Sequence, residues 1–317
     1  MKKLLSESLF DVEIATSPLC SRFGLPPFSI FDTTCGNWLK RSREWKRIGI
    51  RSELGRGDNL IFNSNSISEF DCYRHKNKFG KCDPTSIDER YGRKVQGASI
   101  FDPVLCELIY TWFMPKNGNK ILDCFAGGSV RGIVASVLDK NYTGIDLREE
   151  QIESNEKQFS EIREKFSDIV DFKNIDWICG DSLKIKSLVK ENEKFDLLFS
   201  CPPYYDLEVY SENENDLSNL SDYEEFLKFY KKIIFESCSL LNDDSFACFV
   251  VGDIRDKKGE YRNFVGDTVT AFKEVGLHYY NEIILVNSCG SLPVRINKQF
   301  NSGRKIGKRH QKCFSFL

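Results

Sequence analysis

Between Lys120 and Gly132 the chain reads KILDCFAGGSVRG: a short apolar run ending in Asp123, then Cys124, Phe125, Ala126, Gly127, Gly128 and Ser129, then the start of an amphipathic segment. A strand, a glycine turn and a helix in that order open an open α/β sheet, where glycines let the backbone approach a ligand at the strand's carboxyl end. Further strands are predicted at 142–146, 177–180, 195–200, 246–251, 280–286 and 312–316, with helices at 130–138, 149–166, 182–190, 223–241 and 264–275. Another helix starts after Asp102-Pro103, where Asp caps and Pro suits the first turn. Such alternation predicts a Rossmann-like, mostly parallel sheet of seven strands. The connection 287–309 shows no helical pattern and suggests an antiparallel edge pair.

The composition fits a large globular chain: 317 residues, 41% of them hydrophobic. No apolar run is long enough to cross a bilayer, and the first ten residues lack a secretory pattern, so a cytoplasmic setting is expected. The twelve cysteines are scattered, several (Cys124, Cys179, Cys248) inside strand-like runs, which predicts free thiols. Cys72, His75 and Cys82 lack a second close Cys pair, so no metal is expected and a polar loop is the plainer reading.

The net charge of −2 says little, but its distribution says more. Basic residues crowd 38–57, among them Lys40, Arg41 and Arg43, and again 293–312, among them Arg304, Lys305 and Lys308. Two basic runs bracketing a catalytic module fit a phosphate-tracking surface, although charge runs also form plain solvated faces. Arg255 and Arg262, at the exit of the fifth strand, are candidates for DNA-phosphate contact or for surface ion pairs. Residues 1–97 show turn signals and no α/β alternation, and read as an N-terminal extension that binds substrate. Within it Trp38, Trp45, Ile48 and Ile50 predict a helix with an apolar docking side and a basic side. Residues 98–317 read as the catalytic domain.

Three strand ends carry acids. Asp123 precedes the glycine turn, where a pyrophosphate binder would avoid negative charge and a ligand with a cationic amino-acid end would welcome it. On this reading the carboxylate faces solvent outside the core, and S-adenosylmethionine is favoured over NAD or ATP. Gly144-Ile145-Asp146 places a carboxylate where ribose hydroxyls lie, and Gly180-Asp181-Ser182 places another near an adenine amino group. A single such Asp is commonly a helix cap; three on consecutive strands favour a ligand set. One α/β repeat later comes Cys201-Pro202-Pro203-Tyr204, where two prolines end a strand and hold a loop rigid, with an aromatic ring presented for stacking on a planar base. An ordinary strand-to-loop stop is the alternative.

In these motifs, together with the stretches 31–58, 99–103, 143–151, 200–211 and 250–264, the chain resembles the class I DNA amino-methyltransferases, and more closely a phage-type group of DNA modification methylases. The resemblance implies that Phe101, Asp102 and Pro103 help bind the methionine moiety, that residues Asp123 to Gly128 form the main cofactor turn, and that Asp146 and Asp181 hold ribose and adenine. It implies a bacterial or phage-infected cytoplasm, with DNA as partner. In the family, a side-chain oxygen of the first residue of an (Asp/Asn/Ser)-Pro-Pro-aromatic loop and the first proline's carbonyl accept the hydrogens of a flipped base's amino group, while the aromatic ring stacks on the base. Pro202 and Tyr204 match, and Cys201 departs, because sulfur is a weak acceptor. Ser200, Tyr205 or Asp206 are candidates for the missing oxygen, Asp206 foremost because a carboxylate accepts strongly.

The expectation is methyl transfer to the exocyclic amino nitrogen of a DNA base, adenine N6 somewhat before cytosine N4. RNA as substrate and a catalytically silent DNA-binding protein are the alternatives. Attack by Cys201 on cytosine C6, for C5 methylation, is disfavoured because the chain lacks the Glu-Asn-Val segment of such enzymes.

Overall fold

A computed structural model describes residues 27–51, 101–207, 213, 215–290 and 292–317. Cys72, His75 and Cys82 lie outside the described residues, as does most of the segment before 98. The strands are β1 (Ile30–Asp32), β2 (Lys120–Asp123), β3 (Asn141–Asp146), β4 (Ile175–Cys179), β5 (Phe195–Ser200), β6 (Leu241–Val251), β7 (Tyr279–Val286) and β8 (His310–Phe316). The α-helices are α1 (Gly36–Arg47), α2 (Pro103–Trp112), α3 (Val130–Val137), α4 (Glu149–Phe166), α5 (Ile185–Leu188), α6 (Tyr223–Cys238), α7 (Phe264–Glu274) and α8 (Leu292–Gly303).

One eight-stranded sheet runs in the order β1-β7-β8-β6-β5-β2-β3-β4. The strands are parallel except β8, which pairs antiparallel with both β6 and β7. All seven expected strands are present and the antiparallel pairing lies towards one end of the sheet. The eighth strand, β1, adds beyond β7 in parallel register (Phe31 opposite Leu285) and was not expected. From β2 the chain builds outward through β3 to β4, then returns to lay β5 on the other side of β2. That reversal makes the carboxyl ends of β2 and β5 the topological switch point, where an open α/β sheet leaves a crevice.

Apolar layers cover both faces. One packs Trp38, Trp45, Leu108, Ile133, Phe159 and Trp177 under α1 to α4; the other packs Phe195, Phe226, Tyr230, Phe264, Phe272 and Phe316 under α5 to α7. The helix predicted around Trp38 exists, and its two tryptophans are sunk into the same core as the sheet, at 1% and 4% exposure. The predicted helix 182–190 is a 3₁₀ turn, Ser182–Lys184, followed by the single turn α5.

The connection 287–309 is not helix-free: it contains α8. Leu292, Ile296 and Phe300 recur every four residues there, an apolar stripe that the dense basic residues obscure, and Pro293 sits where the first turn tolerates it. Among the described residues no helix is long and apolar enough to cross a membrane.

Candidate functional site

A cleft of about 760 Å³ opens at the carboxyl ends of β2 to β5. The glycine turn after β2 forms one wall. Gly127 adopts φ +51°, a conformation that disfavours a side chain, and nothing occupies the space a Cβ would enter. The turn lies close on β3, since a Cβ on Gly144 would come within 2.9 Å of Ala126 Cβ.

Asp146, Asp181 and Asp102 line the cleft, each also capping backbone. Asp146 accepts the N–H of Gly127 on Oδ2 and that of Arg148 on Oδ1, both at 2.9 Å. Asp181 caps the 3₁₀ turn by accepting from Leu183 N at 2.9 Å. Asp102 caps α2 by accepting from Val104 N at 2.8 Å and takes Trp38 Nε1–H at 2.6 Å. Capping and cleft-lining therefore coexist, because each acid holds more lone pairs than its caps consume. Burial pushes the carboxyls of Asp102 and Asp146 above their ordinary 3.8, opposed in Asp102 first by the Trp38 N–H and in Asp146 by the Arg148 N–H.

Asp123 does not face the cleft. It is fully buried. Its Oδ2 accepts from Arg131 Nε and from Tyr142 Oη at 2.6 Å, and its Oδ1 accepts from Ser200 Oγ at 2.6 Å and from Phe125 N at 3.1 Å. The expected solvent-facing carboxylate is instead the neutralised centre of an interior polar cluster, its charge matched by Arg131 from the following helix. Arg131 Nη2 also donates to the carbonyls of Phe125 and Ala126, at 2.6 and 2.8 Å, so the pair fixes the glycine turn from beneath. Its guanidinium lies 4.5 Å from the centre of the Phe101 ring. Phe101 and Pro103 reach the cleft beside Asp102, as do Cys124, Phe125 and Gly128 of the turn, whereas Ala126 is packed beneath the turn. Burial, and then the Asp123 carboxylate, push the Cys124 thiol up to about 12.

The opposite wall is the proline loop. Cys201, Pro202, Pro203 and Tyr204 all line the same cleft, directly after β5. Tyr204 is half-buried with its ring edge-on to Phe264, centroids 6.0 Å apart, and its Oη lies 3.9 Å from Cys201 Sγ. None of the three candidates for the missing oxygen lines the cleft. Ser200 is buried and committed to Asp123 and Phe125 N. Tyr205 is buried with Arg262 stacked 4.8 Å from its ring centre. Asp206 is exposed and faces Arg262 at 3.6 Å. The foremost candidate is thus turned away by a basic residue that arrives from a distant loop. Asp216, which the sequence reading passed over, does line the cleft, and it caps the 3₁₀ turn Leu217–Asn219 through Ser218 N at 2.9 Å. Its Asp-x-Ser capping pattern was the one available signal.

The basic candidates divide. Lys40 and Arg43 are exposed on α1, but Arg41 is buried, forked onto Glu107, and unable to meet a phosphate. The reason is its helix face: Arg41 shares the side of Trp38 and Trp45 that docks on α2. Arg255 stacks over Tyr261 at 3.8 Å and donates to Gly259 O, Arg262 lies between Tyr205 and Tyr223, and Lys308 pairs with Asp253 at 3.1 Å. These three make intramolecular contacts first. Arg304 is exposed and Lys305 half-exposed, at the end of α8. Lys46, from the basic run 38–57, also lines the cleft, as do Asn287 and Gln311, which were not singled out from sequence.

No family model matches the chain, and no curated protein matches it in sequence. Solved structures similar to part of it include a precorrin-8w decarboxylase of Methanobacterium thermoautotrophicum, at 10% identity over 69% of this chain and 92% of that one, with a TM-score of 0.43. A methyltransferase of Pyrococcus furiosus is 15% identical over 78% of this chain and 94% of that one, TM-score 0.43. A candidate DNA modification methylase of Thermus thermophilus is 19% identical over 43% of this chain and 50% of that one, TM-score 0.32. Each likeness is partial and at low identity.

Proposed function

We propose that the chain transfers a methyl group from S-adenosylmethionine to the exocyclic amino nitrogen of a base in DNA, adenine N6 before cytosine N4. The observation that carries this reading is the continuity of one cleft from the strand-end carboxylates to the Cys-Pro-Pro-Tyr loop. The residues suit the cofactor: a nucleoside with vicinal hydroxyls and a cationic amino-acid end matches a wall of Asp146, Asp181 and Asp102, with an open space at Gly127 for close approach. When bound, S-adenosylmethionine supplies an electrophilic methyl group.

The chain's own residues do the rest. Asp146 accepts from the ribose hydroxyls and Asp181 from the adenine amino group, while Asp102 accepts from the ammonium. Across the cleft, the Pro202 carbonyl accepts a hydrogen of the target amino group and so turns its nitrogen lone pair out of ring conjugation, with Cys201 Sγ as a second, weaker acceptor. Tyr204, which lines the cleft and packs edge-on against Phe264, stacks on a base turned out of the helix. Of the basic candidates, Lys40, Arg43 and Arg304, which are exposed, and Lys305, which is partly exposed, meet the phosphate backbone.

One observation favours a second reading. With sulfur at Cys201, and Ser200, Tyr205 and Asp206 outside the cleft, a protein that binds cofactor and DNA without turnover is also consistent. Mass analysis of nucleosides from DNA of cells expressing the protein decides between them, with labelled-methyl transfer to duplex DNA and to RNA in parallel. N6-methyladenine or N4-methylcytosine is the expected product. Unmodified DNA from cells holding folded, cofactor-binding protein, with no label transferred to duplex DNA or RNA, overturns the enzymatic reading, and label in RNA alone overturns DNA as substrate.

A further inference from the structure

We infer that Trp38 is a positioning residue of the cleft: its indole N–H fixes the Asp102 carboxylate toward the cationic amino-acid end of the bound ligand, so that α1 completes the site. The inference rests on the reading of the cleft given above.

Asp102 stands just before α2 on the cleft wall. A carboxylate there can rotate about its last side-chain bond, and two donors remove that freedom. Val104 N–H holds Oδ1 at 2.8 Å and Trp38 Nε1–H holds Oδ2 at 2.6 Å. The indole nitrogen is a donor only, so it cannot pair with a protonated oxygen's hydrogen and favours the ionised form. The ring itself has little freedom, being 1% exposed and packed against Phe31 with centroids 5.6 Å apart. Asp102 lines the cleft together with Leu39, Ser42 and Lys46, three further contributions of α1.

Docking of α1 does not require this bond. Farther along, Trp45 Nε1–H meets Glu107 at 2.9 Å, and Arg41 forks onto the same carboxylate, in a contact buried away from the cleft. Glu107 is the anchor of the helix, and its charge is fully matched by Arg41. Asp102 differs in opening onto the cleft. A buried donor spent on a carboxylate that opens toward a ligand is what fixing a recognition group requires; a helix held by apolar packing and the Glu107 anchor would dock without it.

The test compares two unreactive probes by calorimetry, S-adenosylhomocysteine, which has the ammonium, and 5′-methylthioadenosine, which has the nucleoside without it. Trp38→Phe, which loses the N–H and retains the ring, is expected to weaken S-adenosylhomocysteine roughly tenfold or more while leaving 5′-methylthioadenosine unchanged. Trp45→Phe, an equal loss at the Glu107 anchor, is expected to change neither. If Trp38→Phe does not fold, Trp38→His, which keeps a ring N–H, and Asp102→Asn make the same comparison, the first expected to retain the selectivity for the ammonium and the second to lose it. Equal weakening of both probes, no weakening of either, or the same selective loss in Trp45→Phe overturns the positioning role. Wild-type protein that binds neither probe overturns the reading of the cleft instead.

Discussion

Ser200 Oγ donates to Asp123 Oδ1 at 2.6 Å, joining the last residue of β5 to the last residue of β2 in the interior of the sheet. The residue after each begins a wall of the cleft, the proline loop in one case and the glycine turn in the other. Together with Arg131 and Tyr142 this bond sets the two walls at a fixed separation. The acid that looked from sequence like a ligand is the tie between the two motifs.

Replacing Asp123 therefore acts on the fold before it acts on binding. Asp123→Ala leaves Arg131 buried without its counter-charge, and breaking such a pair costs about 3–5 kcal/mol. The expected result is a large drop in Tm, or insoluble protein, measured by calorimetry or circular dichroism. Normal thermal unfolding with cofactor binding lost would return Asp123 to the ligand set.

Asp146 predicts a pH dependence of binding. Burial raises its carboxyl above 3.8 in the free protein, and hydroxyl donors from a bound ribose would favour the ionised form and lower it again. The complex then holds fewer protons than the free protein. Affinity should rise with pH through the window between the bound and free values and level off above the free one, with proton release on binding. Titrating S-adenosylhomocysteine in buffers of differing ionisation enthalpy measures that proton. Uptake in place of release, or a flat profile that Asp146→Asn does not alter, contradicts the ribose assignment.

What the sequence made legible was local. The glycine turn, the strand-end acids and the double proline are each decided within a few residues, and the structure brings Asp146, Asp181 and Cys201–Tyr204 to one cleft. What it hid depended on partners far along the chain. Asp123 and Asp146 look alike in sequence, both ending strands beside glycines, and differ because Arg131 and Ser200 converge on the first. Arg41 reads as one cation in a basic helix until Glu107, sixty-six residues away, is folded against it. Asp206 looks free to accept a hydrogen until Arg262 arrives from the loop after β6.

That last contact yields a prediction. A partly exposed ion pair as long as 3.6 Å contributes little, about 0–1 kcal/mol, and Asp206 lies outside the cleft. Asp206→Ala should keep both Tm and the rate of methyl transfer close to wild type. A fall in kcat of a hundredfold with unchanged stability would make Asp206 an acceptor that moves inward when DNA binds.

Tyr204 should behave in the opposite way. It lines the cleft and packs one edge on Phe264, so Tyr204→Ala removes a stacking surface worth about 1–3 kcal/mol to a base and only part of a core contact. Turnover should fall strongly while S-adenosylhomocysteine affinity changes little, and Tyr204→Phe should retain most of the rate. A lowered Tm with normal specific activity of the folded fraction would make the ring a packing residue and nothing more.

Cys201 discriminates between mechanisms. Its sulfur lines the cleft beside Tyr204 Oη, 3.9 Å away, and no oxygen of Ser200, Tyr205 or Asp206 is placed to replace it there. If the amino group is activated by acceptors, Cys201→Ser puts a stronger acceptor at the same point and should retain or raise the rate, and Cys201→Asp should do so where adenine is the target. A nucleophilic cysteine would lose all activity in both variants, since neither oxygen attacks cytosine C6 as a thiolate does. Rate measurements on the two variants, with mass analysis of the methylated nucleoside, read the difference directly. An inactive Cys201→Ser together with a covalent adduct between wild-type protein and DNA containing 5-fluorocytosine would replace amino transfer by C5 chemistry.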